Sequence, residues 1–143
     1  MIHLRSAREI DAIAEGGAII GALHAQLGER IEPGMSTQQI DEFCETFICD
    51  HDGAMAAFKG LYGFPGAVCI SVNEEIVHGI GSADRLLQDG DIVSVDVGVK
   101  LNGWYTDSAR TFAVGAVDAD AERLLEVTTG SLDAAIEAAI PGN

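Results

Sequence analysis

The chain has 143 residues, enough to bury a core, and its 48% apolar and 22% charged content is that of a globular protein. A formal net charge of −15 argues against nucleic acid and anionic membrane as partners and suits cations, although solubility is the plainer use of so acidic a surface. There is no run of about 18 apolar residues to span a membrane and no apolar signal segment at the start. The three cysteines, Cys44, Cys49 and Cys69, lack C-x-x-C spacing, leave an odd thiol and fit a reducing cytoplasm.

The chain opens with a helix. Ser6-Ala-Arg-Glu9 is a capping box, and Ile10, Ile13, Ile20, Leu23 and Leu27 recur at helical spacing. Gly16-Gly17 allows close packing, and Gly28 offers a stop. His24 reads as a surface or packed histidine rather than a ligand. Pro33-Gly34 is a turn. Ser36-Thr-Gln-Gln39 caps a second helix with Ile40, Phe43, Phe47 and Ile48 on its apolar face, and Cys44 and Cys49 as buried packing thiols. Asp50-His51-Asp52-Gly53 ends that helix in solvent.

Residues 53–67, rich in Ala, Gly and the aromatics Phe58, Tyr62 and Phe64, read as a loop packed on the core. Residues 68–72 and 76–80 read as two short strands around the turn Asn73-Glu74-Glu75. His78 lies on the second of these, and the neighbouring Gly79 suggests a close backbone approach.

The stretch from Gly90 to Phe112 carries the chemistry. Val93, Val95, Val97 and Val99 alternate with Ile92, Ser94, Asp96 and Gly98, the signature of a half-buried strand. Asn102-Gly103 is a type I′ hairpin signal, because both central residues of that turn need positive φ. With a two-residue turn, Asp96 faces Ala109 and Asp107 faces Gly98, so the two carboxylates are diagonal neighbours roughly 7–8 Å apart at Cα. A turn shifted by one residue would set them opposite each other, and a three-residue loop would separate their faces. Converging carboxylates repel unless a proton or cation lies between them. The aspartate face is therefore either plain exposed sheet or a metal site. Beyond it, Asp118 or Asp120 caps a third helix with Leu124, Leu125, Leu132, Ile136 and Ile140 as its stripe, stopped at Pro141-Gly142.

The run GDIVSVDVGVKLNGWYTDSARTF, preceded by VCISVNEEIVHGI, resembles the type I methionine aminopeptidases over nearly the whole chain. The resemblance implies an α/β (α+β) fold: half of a pita-bread fold, an antiparallel sheet with helices packed on one face, with residues 1–143 as one domain resembling the N-terminal half of the catalytic domain. It implies metal ligands at Asp96 and Asp107, a catalytic and substrate-contacting His78, and Cys69 and Phe64 in the pocket for the first side chain. The cofactor would be divalent metal (Co, Mn, Fe or Zn), activating water and polarising the scissile carbonyl. The partner would be a peptide or nascent-protein N-terminus beginning with Met.

The family's remaining ligands, one His and two Glu, belong to a C-terminal half that has no counterpart in these 143 residues. The chain alone is therefore expected to be inactive or weak. Two other readings follow. One is a homodimer that brings both pairs of aspartates together. The other is a non-catalytic relative, or one that works with a second-half chain.

Overall fold

The structure is a computed structural model and describes residues 2–143. Helix α1 spans Ala7–Arg30 and α2 spans Thr37–Cys49. Both begin with the expected capping boxes, Ser6 with Glu9 and Ser36 with Gln39. Strands β1 (Ala54–Ala56), β2 (Cys69–Val72), β3 (Ile92–Leu101) and β4 (Trp104–Ala113) follow, and α3 (Ala119–Ala138) closes the order. Asp118 supplies the α3 cap by accepting from the Ala121 amide.

All strand pairs are antiparallel, and β3 is the central strand. It pairs with β4 along one edge and with β2 and β1 in succession along the other. Leu101 pairs with Trp104, so Asn102-Gly103 is a two-residue turn; its φ values of 51° and 89° are those a type I′ turn demands.

The valine face of β3 forms the core floor: Val93, Val95, Val97 and Val99 are fully buried under Ile20, Leu23 and Leu27 of α1 and Ile40 and Ile48 of α2. Burying each such side chain contributes about 1.5–3 kcal/mol. α1 crosses over β3 and β4, while α2 lies against β1 and β2. The approach of α1 depends on Gly16, where a Cβ would stand 2.7 Å from Thr106 Oγ1. The opposite sheet face, with Ser94, Asp96 and Gly98, is left to the loop of residues 57–67.

Four expectations are corrected. Gly28 does not end α1; the helix runs on through Glu29 and Arg30, good helix formers, and stops at Ile31 ahead of Pro33. Residues 76–80 form no strand, because Val77 and His78 sit in the left-handed region at φ 49° and 59°. α3 stops at Ala138 rather than Ile140 and buries none of its residues, so α1 and α2 alone cover the sheet. Cys44 is buried but Cys49 is exposed, since one step past buried Ile48 the helix surface turns to solvent.

Candidate metal and peptide site

Register places Asp96 opposite Ala109 and Asp107 opposite Gly98, on the face away from the valines. The carboxyl groups come within hydrogen-bonding reach of each other. Asp96 carries the strain of this arrangement. Burial first, then the negative charge of Asp107 and a hydrogen bond that protonated Asp96 donates to it, push the Asp96 carboxyl above the usual carboxylate value, and His78 partly offsets this. Its Oδ1 is buried with no hydrogen-bond partner among the described residues. A buried carboxylate oxygen without a donor, beside a second carboxylate, fits a cation.

The pair alone is an incomplete ligand set. Among the described residues, no three His, Cys, Asp or Glu side chains gather closely enough to hold a metal ion. Hard divalent cations take six or more oxygen ligands or keep several waters, so two carboxylates would leave most of the coordination to other groups.

Above the aspartates lies a cavity of about 550 Å³, lined by Phe58, Leu61, Tyr62, Phe64, Pro65, Cys69, His78 and Ile80. The structure thus brings all five residues singled out by sequence to one place. Cys69 pairs with Asp96 across β2 and β3. Burial, then the charges of Asp96, Asp107 and Asp41, push its thiol up to about 11, so it acts as a small apolar wall. Phe64 follows the helical turn Leu61–Gly63. His78 reaches the cavity from an irregular, exposed segment rather than from a strand.

Other residues that build the site were not singled out for it. Asp41 on α2 accepts from the Ala67 and Val68 amides at 2.8 and 3.0 Å and ties the aromatic loop to the start of β2. Gly98 lets Phe58 lie on the sheet, since a Cβ there would meet the ring at 2.5 Å. A glycine amid alternating valines is the signal that was available for it. Ser94 and Thr111 share a hydrogen bond of 2.8 Å on the aspartate face.

An antiparallel sheet with helices on one face, and paired carboxylates under an apolar cavity on the other, defines a class: an α/β scaffold suited to a cation and to an apolar side chain. Comparison with known proteins gives the family. The model of metallopeptidase family M24 matches residues 11–143, and the chain belongs to that family. It is 46% identical to methionine aminopeptidase 1 of Bacillus subtilis over 142 residues, 99% of this chain and 56% of that protein. It is 46% identical to a methionine aminopeptidase of Clostridium perfringens over 143 residues, 100% of this chain and 57% of that one. The crystal structure of methionine aminopeptidase from Thermotoga maritima superposes with a TM-score of 0.91 at 34% identity, covering 95% of this chain and 54% of that one. The prolidase of Pyrococcus horikoshii, at 20% identity and a TM-score of 0.77, shares the fold; it covers 94% of this chain and 37% of that one. The chain spans just over half the length of the curated relatives it matches.

Proposed function

We propose that this chain carries part of a metal-dependent aminopeptidase that removes N-terminal methionine from new polypeptides in the cytoplasm. The observation that carries the reading is the convergence of Asp96 and Asp107, with the orphaned Asp96 Oδ1, at the floor of the apolar cavity. The names and identities of its relatives support the reaction and substrate. The three free thiols suit a reducing compartment.

Asp96 and Asp107 would hold the divalent metal: Co, Mn, Fe and Zn all accept carboxylates. When bound, such a cation supplies Lewis acidity toward a water and the scissile carbonyl. The protein's own residues do the rest. Phe64 and Cys69 enclose the first side chain and exclude water. His78, at the cavity rim, hydrogen-bonds the substrate amide or the charge developing on its carbonyl oxygen. Because two carboxylates leave most of the coordination open, the chain by itself is inactive or weak.

A polypeptide supplying the remaining ligands, or a second copy of this chain, completes the site. The exposed stripe on α3, with Leu124, Leu132 and Ile136 each more than half exposed, supports a covered face of this kind.

The test is hydrolysis of Met-Ala-Ser with manganese or cobalt, by the chain alone and mixed with the C-terminal half of a relative. An Asp96→Asn, Asp107→Asn double variant is the control, and sedimentation is followed with and without metal. Turnover that needs both aspartates supports the reading: on mixing, it identifies a second-half partner; without mixing, in a dimer tightened by metal, it identifies the homodimer. Turnover that survives in the double variant would sink the metal assignment. No turnover in any mixture, from folded protein, would leave a non-catalytic relative.

A further inference from the structure

Asp107 lies on β4, which has a sheet neighbour on one side only, β3. Its alignment with Asp96 therefore depends on what presses β4 onto the rest of the molecule. The two residues flanking Asp107 answer this. On one side, the Thr106 hydroxyl donates to the Ile13 carbonyl of α1 at 2.9 Å, at the place where Gly16 lets the helix come close. On the other side, His24 Nε2 of α1 lies 3.2 Å from the Ser108 carbonyl.

A carbonyl only accepts, so His24 Nε2 carries the proton and donates it. Nδ1 is then the bare nitrogen, and it is buried without a partner among the described residues. Burial, ahead of the nearby Arg110 charge, lowers the pKa of the ring, partly against the pull of the Ser108 bond. The buried ring, held by the Ser108 carbonyl and packed with its centroid 6.2 Å from that of Phe112, is a rigid strut.

We infer that Thr106 and His24 are positioning residues: a clasp from α1 grips β4 one residue to either side of Asp107 and sets its carboxylate against Asp96. This rests on the reading of the two aspartates as cation ligands. Neither clasp residue touches the cation or the substrate; both act through the β4 backbone. Groups that hold a ligand in place are worth about 10–100-fold in metal affinity.

The experiment titrates manganese(II) into the full chain by calorimetry, for the unaltered protein, Thr106→Val, Thr106→Ser and His24→Phe. Thermal melting and amide hydrogen exchange are measured on the same samples. Thr106→Val keeps the side-chain shape and removes only the donor. The expected result is affinity lower by about 10-fold in Thr106→Val and His24→Phe, recovery in Thr106→Ser, and faster exchange confined to residues 106–109. Unchanged affinity in Thr106→Val would overturn the clasp. So would a loss that Thr106→Ser fails to restore, because that would follow bulk and not the hydrogen bond. If the unaltered chain binds no manganese either alone or mixed with the C-terminal half of a relative, the ligand reading falls separately. Exchange then decides the clasp: loosening restricted to residues 106–109 in Thr106→Val sustains it, and unchanged protection overturns it.

Discussion

Gly79→Ala is the sharpest single test of how the His78 segment is held. A Cβ at Gly79 would lie 1.9 Å from the Ile70 carbonyl oxygen, 2.6 Å from its carbon and 3.0 Å from Ser71 Cα. All three are backbone atoms of β2, so no rotamer relieves the clash. Gly79 is not in the left-handed region, so the objection to alanine is purely steric. Ordinary contact begins near 3.4 Å; the segment would have to retreat by roughly 1.5 Å, more than a packed interior yields without cost. That retreat breaks the Ile70 N–H bond to the Gly79 carbonyl, 2.9 Å, and the Gly79 N–H bond to Ser71 Oγ, 3.2 Å. Ile70 is 1% exposed, so its amide loses its acceptor with little water to replace it.

Such an orphaned donor costs about 1–3 kcal/mol. The neighbouring residues are exposed, Ile76 at 88% and Val77 at 60%, so the segment can peel away and most packing strain is released. The total is therefore about 2–3 kcal/mol, a fall in melting temperature of roughly 5–10 °C for a chain of this size. Thermal denaturation measures the fall, and amide exchange at Ile70 identifies its source. A Gly79→Ala protein that melts with the wild type and keeps a protected Ile70 amide would refute the reasoning.

Other expectations follow from the same geometry. In metal-free protein, the raised Asp96 pKa means that the folded state holds its proton more tightly than the unfolded chain. Its contribution is thus most favourable below the unfolded value of 3.8, and stability is lost as pH rises through the folded value. Asp96→Asn should raise stability at neutral pH in a chelating buffer, with the gain disappearing at acid pH; urea denaturation showing a loss at neutral pH would contradict this. Burial pushes the Cys44 thiol up to about 12 and the Cys69 thiol up to about 11, while Cys49 is exposed. A disulfide reagent on native protein should therefore titrate one thiol quickly and none in Cys49→Ser, and a second fast thiol would show that Cys69 is reachable. Gly21 is exposed within α1, and a Cβ added there would meet nothing within 4 Å; Gly21→Ala should stabilise by about 0.5–1 kcal/mol in the same urea assay.

The hairpin and the shared face of its two aspartates were legible because local rules determine them. Asn102-Gly103 favours the two-residue type I′ turn that the structure shows, and a period of two then decides which residues share a face with Asp96. The capping boxes at Ser6 and Ser36 were legible for the same reason. What failed was tertiary. Residues 76–80 have strand composition, but Gly79 is pressed against the β2 backbone, and the chain reaches that contact through left-handed Val77 and His78. Gly28 resembles a stop, yet its flank faces the Phe112 ring inside a continuing helix. The site's supports, Asp41 to the Ala67 and Val68 amides and His24 to Ser108, join residues 26, 27 and 84 positions apart, and no spacing rule connects them.

The unburied α3 has a consequence for how the molecule melts. The core closes at Val114, before α3 begins, and every residue of that helix remains outside it. A 20-residue helix held by its Asp118 cap and little else is marginal in water and melts gradually. The chain is therefore two thermodynamic systems in series: a cooperative sheet-and-helix body, and a helix that unwinds on its own schedule. Helical ellipticity should slope away on warming before Trp104 fluorescence reports the main transition, so one melting temperature does not describe the whole chain.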